Sequence, residues 1–475
     1  MIDSASTIIL ILTLPLIINT LTVIRQKSEN LFNLFTFIVP VLNIILIVSN
    51  GYKQDAIIIS NLFVFSLDKY SYIFGILVNV CWLLTNIYCL GYVQNNFQNK
   101  AETFHRLIST TISLSLATGL ASNFLTAFVF YILSIFTIFP LINFKETIKS
   151  KSASRFYLLS TLLPAVFIAL PTLVFCFPML SPFQSFTIAG LGYTPVQSSL
   201  ILGLLIIGFS KNCVIPFHLW LPRSSIAPAP VTALVHSVAA VQTSVIIILR
   251  LCVNVYGSDY MMSLNDHLHE TGWLTYLFGS TALFTAYCAY KTPNLKKRFS
   301  FSTVGQLSYI LTAILVGTPK ALLAAVLHMV THSLAKICLF FVAGTFMSLF
   351  KTVHAPDVAR LATRKRYLAI AASISGLSIT GFPFLAGYYS KDLMLIEEFH
   401  RQHYAAALFL LCGSFINLIY ILPIIKAAIK KTDPKDNQPL PSVPKPMIIA
   451  IFSCVVITLL FSKFVFYVSR IVDTP

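Results

Sequence analysis

Apolar runs of about 20 residues, each long enough as a helix to cross a hydrocarbon core of about 30 Å, recur along this chain almost without interruption. They lie at 5–24, 31–50, 71–92, 107–119, 122–143, 156–178, 197–221, 229–250, 271–290, 300–317, 321–349, 368–396, 404–426 and 446–468. In lipid, only helices and closed barrels satisfy their own backbone groups, and runs of this length are helical. The expected fold is therefore an all-α polytopic membrane protein with about 14 transmembrane helices. The gaps leave no room for a soluble domain. The fourth run is short and polar, and only Gly119 to Asn123 separate it from the fifth. The longest polar stretch, Lys430 to Lys445, reads as a proline-rich connector.

Composition supports this. Of the 475 residues, 57% are hydrophobic and 10% charged, where a soluble chain has about 25% charged. The mean hydropathy is +0.82. So apolar a chain is neither disordered nor water-coated. Its nine cysteines form no C-x-x-C pair and no Cys/His ladder, which argues against a disulfide scaffold and against structural zinc. The first run follows Met-Ile-Asp rather than a basic segment, with no small-residue cleavage site, and reads as a first membrane helix.

The net charge of +17 would suggest nucleic acid in a soluble protein. Here the positive-inside rule accounts for it, and no nucleic acid is expected as partner. With fourteen spans, alternate loops share one side. The basic clusters Lys145–Arg155, Lys291–Arg298, Lys351–Arg366 and Lys426–Lys445 all follow odd-numbered spans. Both termini are therefore expected outside, and only Lys211, Lys336 and Lys391 remain within spans.

An ionisable residue inside a membrane helix costs about 2.5–3.5 kcal/mol on the insertion scale, and such residues usually line an ion path. The sharpest set is His328, His332 and Lys336 in HMVTHSLAK. At i, i+4 and i+8 they drift about 40° per step and form one stripe about 12 Å long. Two imidazoles leading to an ammonium suit a proton relay. The plainer alternative is two carbonyl-bonded histidines and a lysine reaching for the interface. Zinc is disfavoured, because HxxxH lacks the Glu of H-E-x-x-H.

Lys211 stands in IIGFSKNCVIPFHLWLP, where Pro216 and Pro222 forbid one regular helix. Its alternative is a lysine extending from a helix end. A second broken span is ITGFPFLAGYYSKDLML, where Gly381, Pro383 and Gly387 precede Lys391 and Asp392. Two interrupted helices, one in each half, point to the inverted repeats of transporters. His236, in ALVHSVAAVQTS, fits a relay or a hydrogen-bonded core histidine equally. His218 sits in the first break. Asp68 and Lys69 read as a local ion pair at the interface. No P-loop, dinucleotide fingerprint or iron–sulfur cysteine set is present, and bis-His haem would need ligands from a facing helix, so no cofactor is expected.

SKNCVIPFHLWLPRSSIAPAPVTALVH, KKRFSFSTVGQLSYI, LHMVTHSLAKICLFFVAG and TGFPFLAGYYSKDLM resemble the antiporter-like membrane subunits of respiratory complex I and of Mrp-type cation/proton antiporters. The likeness runs from Leu67 to about residue 425. SKDL and ALVH look more like the largest of these subunits, mitochondrial subunit 5, or its Mrp A counterpart; the length looks more like Mrp D.

The resemblance implies two inverted five-helix repeats, with helices 7 and 12 interrupted, and a midplane chain of buried Lys, His and Glu. Residues 1–106 would hold spans 1–3, 107–250 the first repeat, 251–426 the second, and 427–475 the connector and last helix. Lys211 matches the lysine of helix 7, His236 the helix 8 histidine, and His328, His332 and Lys336 the helix 11 series. Lys391 and Asp392 match the lysine–aspartate of helix 12. The family also carries a glutamate in helix 5 that pairs with the helix 7 lysine. Here Ile132 stands in its place, and no Asp or Glu lies between Glu102 and Glu146.

The expectation is a proton-translocating subunit of an NADH-quinone oxidoreductase-like complex, with no redox centre of its own. It would be embedded in a bacterial or mitochondrial inner membrane beside other membrane subunits. The alternatives are an Mrp-type Na+ or K+/proton antiporter subunit, and a structural subunit that no longer pumps.

Overall fold

Seven of the helices begin at a side chain built to satisfy orphan N–H groups: Ser28, Asp68, Asn123, Thr147, Thr194, Asn294 and Thr318 each accept a backbone N–H three residues on. The computed structural model describes residues 4–25, 28–53, 56–59, 62–270, 272–430 and 440–473.

The helices run α1 Ser4–Thr13, α2 Ile17–Arg25, α3 Glu29–Asn50, α4 Lys69–Asn96, α5 Ala101–Leu120, α6 Phe124–Ile142 and α7 Ile148–Pro164. They continue with α8 Leu170–Cys176, α9 Pro195–Gly208, α10 Trp220–Ser224, α11 Ala229–Leu234, α12 Val241–Arg250, α13 Ser258–Leu268 and α14 Trp273–Lys291. The last are α15 Leu295–Val316, α16 Pro319–Phe350, α17 Ala355–Arg364, α18 Arg366–Thr380, α19 Ala386–His400, α20 Tyr404–Ile429 and α21 Lys445–Asp473. One antiparallel pair of two-residue strands, Ile57–Ile58 and Val64–Phe65, precedes α4.

Among the described residues, every apolar run of the sequence is mainly helical. Among the described residues, nine helices are long and apolar enough to cross a membrane, or ten with the bent C-terminal pair. The fourth run extends further than its polarity suggests, because α5 begins at Ala101. Several of its hydroxyls bond its own backbone: Thr111 donates to Leu107 O at 2.7 Å, Ser115 to Thr111 O at 2.7 Å and Thr118 to Leu114 O at 2.8 Å. Two further helices, α13 and α17, occupy loops. Most of the Lys430–Lys445 connector lies outside the described residues.

Both expected interruptions are present. After α9 the chain makes a short 3-10 turn at Ser210–Asn212, takes a left-handed conformation at Cys213 (φ 66°) and resumes at α10. Between α18 and α19, Gly381 (φ 86°) and Phe384 (φ 70°) turn the chain. Gly387 lets the two pieces close, since a Cβ there would lie 1.8 Å from Ser378 O. The eighth span is helical throughout but passes through π turns at Val235–Ala239 and Leu251–Tyr256.

The core centres on α16, buried at nearly every residue from Ala321 to Phe346. It packs against α4, α11, α15, α18, α19 and α21. A buried charge pair sits on one side of this core. Arg250, 1% exposed, meets Asp68 at 2.9 Å, donates to Ser66 Oγ at 2.6 Å and bonds the Gly119 and Ala121 carbonyls. This corrects the interfacial reading of Asp68: Lys69 instead donates to Val472 O at 2.7 Å. The acid caps α4 and neutralises an arginine that closes the end of α5, a place where an unpaired charge would be costly.

Candidate functional site: a line of buried lysines and histidines

Each intramembrane group expected from the sequence is buried, except the half-buried Asp392. Lys336 lies on α16, and its ammonium donates to Phe299 O on α15 at 3.0 Å. One turn earlier, neither ring nitrogen of His332 has a hydrogen-bond partner among the described residues, and its ring stacks on that of His328 with centroids 6.4 Å apart. His328 is fully held: Ser390 Oγ on α19 lies 2.9 Å from Nδ1, and Gln306 Oε1 on α15 lies 3.0 Å from Nε2. The single continuous helix α16 thus aligns the stripe that its i, i+4, i+8 spacing demands.

Lys391 stands on α19 just after the second break. Its ammonium donates to Ser414 Oγ on α20 at 2.8 Å and lies 5.1 Å from the Tyr309 ring centre. With the half-buried Asp392 it borders a cavity of about 210 Å³, together with Thr380, Gly381 and Tyr388. Ser390, which holds His328, directly precedes Lys391 and so ties the stripe of α16 to this end of α19. His328, His332, Lys336, Lys391 and its cavity are brought together as one unit.

His236, in the π turn of the eighth span, bridges two elements. Ser224 Oγ at the end of α10 lies 3.0 Å from Nε2, and Ser300 Oγ on α15 lies 3.0 Å from Nδ1. Ser333 links this span to α16: it donates to Ser237 O at 2.8 Å and lies 3.4 Å from the Gln242 amide nitrogen. His218 lies in the first break, edge-on to Phe284 at 5.7 Å.

Lys211 is set apart. Its ammonium donates to Tyr131 O at 3.0 Å and Ser134 Oγ at 2.5 Å, and lies 4.0 Å from the Tyr131 ring centre. Among the described residues, the hydrogen-bond partners of the ammonium are these two neutral groups. The sequence motif puts Ile132 opposite this lysine. The α6 face that meets it instead carries Tyr131 and Ser134, while Ile132 is half-buried at the core's edge.

By sequence, Lys296 and Arg298 belong to a basic loop. The structure makes them the first turn of α15, both buried, with Lys296 donating to Ala227 O at 2.6 Å. Asn294, which caps α15, is the signal that places them on the helix. Gln306 and Ser390 carry no such signal. Each is a neutral residue that acquires a role only from the imidazole facing it.

A many-helix bundle with broken helices and a line of buried lysines and histidines defines a polytopic, all-helical protein of the membrane type. Residues 121–417 match the family model for the membrane part of NADH:quinone oxidoreductase and the Mrp antiporter, and the chain belongs to that family. NADH-ubiquinone oxidoreductase chain 5 of Mytilus edulis is 33% identical over 213 residues, which are 43% of this chain and 34% of that protein. The A/B subunit of a probable K(+)/H(+) antiporter of Rhizobium meliloti is 25% identical over 346 residues, 70% of this chain and 33% of that one. The aligned stretches thus span about a third of these relatives' length. The fold is also that of a chain in the Mrp complex from Dietzia sp. DQ12-45-1b, with a TM-score of 0.82, 16% identity, and 99% and 96% of the two chains covered. A chain of the archaeal membrane-bound sulfane sulfur reductase gives 0.81 at 18% identity, with 98% and 97% covered.

Proposed function

We propose that this chain is a proton-translocating membrane subunit of an NADH-quinone oxidoreductase-like complex, carrying protons along Lys336, His332 and His328 to Lys391 and Asp392. The observation that carries this reading is the alignment of three titratable groups on the buried face of α16 with Lys391 at their end. An ammonium, two imidazoles and a second ammonium in this order can pass a charge by successive protonation.

The architecture proposed with it has fourteen crossings, both termini outside, three leading spans in 1–106, inverted five-helix repeats in 107–250 and 251–426, and a last span in 427–475. Its setting is a bacterial or mitochondrial inner membrane, with other membrane subunits as partners. A second reading, an Mrp-type Na+ or K+/proton antiporter subunit, draws on the Rhizobium relative, whose match covers 70% of the chain. A third, a subunit that only fills its place in the assembly, draws on the neutral groups, rather than a carboxylate, that meet Lys211 among the described residues.

The test is Lys336→Ala in the assembled complex, reconstituted in proteoliposomes. Proton flux is expected to vanish while insertion and assembly persist. Normal flux would remove the relay and favour the structural role. Flux that requires a Na+ or K+ gradient would favour the antiporter.

A further inference from the structure

We propose that Glu398 is the outward proton acceptor beyond Lys391, taking its proton across the phenol of Tyr309. The inference rests on the reading of the chain as a proton translocator and names the group that follows the last lysine.

Lys391 and Glu398 share α19 and are seven residues apart. Seven residues are nearly two turns, so the two side chains stand within about 20° on one face, about 10 Å apart along the axis. Met394, between them on that face, is 1% exposed. Glu398 itself is 2% exposed, and its Oε2 has no hydrogen-bond partner among the described residues. The neighbouring Glu397 is different: Thr318 donates to its Oε2 at 2.7 Å, and His400 Nδ1 lies 3.8 Å from Oε1. A carboxyl oxygen enclosed without a donor is an expensive arrangement. Such groups within a membrane bundle mark ion paths by default.

Tyr309 reaches in from α15 beside Lys391. The Lys391 ammonium lies 5.1 Å from its ring centre. Its hydroxyl is seated against α20 at Gly413, where a Cβ would fall 1.8 Å from the oxygen. The backbone carbonyl of Glu398 accepts the N–H of His403 at 2.7 Å, which sets this glutamate beside the start of α20. Glu270 is half-buried in the loop after α13, and its carboxylate accepts the N–H groups of Ala405 at 3.2 Å and Ala406 at 3.4 Å. The line from Lys391 through Tyr309 and Glu398 to Glu270 thus runs from the buried lysine towards the end of the bundle.

One proton moves. The phenol gives its proton to the Glu398 carboxylate and takes one from the Lys391 ammonium. The lysine is left as a neutral amine, the glutamate becomes a carboxylic acid and the phenol is unchanged. The acid then releases its proton outward.

The test uses the assembled complex in proteoliposomes. Glu398→Gln keeps the shape and cannot accept a proton, and flux is expected to fall about a hundredfold or more, the low side of what a positioned proton acceptor contributes. Glu398→Asp should recover most of that loss, which a purely structural role would not predict. Dicyclohexylcarbodiimide should label Glu398 in the unmodified protein, read by peptide mass spectrometry. Tyr309→Phe keeps the ring under Lys391 and removes the hydroxyl; it carries the test if the glutamine variant does not assemble, and it too should lower flux. Wild-type flux in Glu398→Gln beside a dead Lys336→Ala would overturn the inference and leave the proposed function standing. An Asp variant as inactive as Gln would also overturn it. If neither Lys336→Ala nor Glu398→Gln lowers flux, the proton-translocation reading itself falls.

Discussion

Tyr131 holds Lys211 twice, through its carbonyl oxygen at 3.0 Å from the ammonium and through its ring, whose centre lies 4.0 Å away. The lysine is thereby satisfied by neutral groups. A neutral cage stabilises an ammonium by hydrogen bonds and a cation–π contact but offers no second charge state with which to alternate.

Lys211→Ala should therefore reduce proton flux only partly, far less than Lys336→Ala, when both are measured in the same vesicles. Equal damage would show that the first half conducts as the second does.

A carboxylate meant to pair with Lys211 belongs at Ser134, whose Oγ lies 2.5 Å from the ammonium. Ser134→Asp is expected to raise flux through the first half or to stall it as a tight pair; increased flux is the expected sign. Ile132→Glu, on the half-buried face, should have the smaller effect on flux. A larger response at residue 132 would mean that α6 presents a different face to the lysine.

Here the sequence and the structure part company for a physical reason. Motif spacing locates a residue along a helix, but which side chain meets the lysine depends on the helix face, and one residue is 100° of rotation. The spans themselves are legible because about 20 apolar residues in lipid have one solution. His328, His332 and Lys336 are legible because their spacing is already a stripe. Lys296 and Arg250 are not. Charges near helix ends read as loop or interface residues, and only the packing of α15 on the first break, or of the eighth span on α5, buries them. The partnership of Arg250 with Asp68 crosses from the eighth span to the third, and no local pattern encodes it.

Removing one member of that pair should be costly. Arg250→Leu leaves Asp68 uncompensated, and Asp68→Asn leaves the arginine so; each should destabilise the fold by about 3–5 kcal/mol. The double variant should lose less than the two losses added. Thermal unfolding in detergent measures this, and simple additivity would show that the two charges act independently.

Gly387 is where the second break closes. Gly387→Ala places a Cβ 1.8 Å from Ser378 O, which is backbone and cannot swing aside. Overpacking of this kind costs about 1–3 kcal/mol. Lys391 stands one turn further along α19, so flux should drop together with folded yield. Full flux at normal yield would show that the break tolerates separation of its two pieces.

The wide turn at Val235–Ala239 has a consequence for everything that follows it. Its closing bond runs from Ala240 N to Val235 O at 3.4 Å, five residues back rather than four. One extra residue in a turn advances the rest of the helix by about 100° in rotational phase. Gln242 meets Ser333, Ser244 meets Phe209 O and Arg250 meets Asp68 only at that phase. The turn that presents His236 to Ser224 and Ser300 is therefore also the phase setting of the whole eighth span. Its imidazole and its distant arginine are locked into one rotational choice, so a single-residue deletion there would misdirect both ends of the span at once.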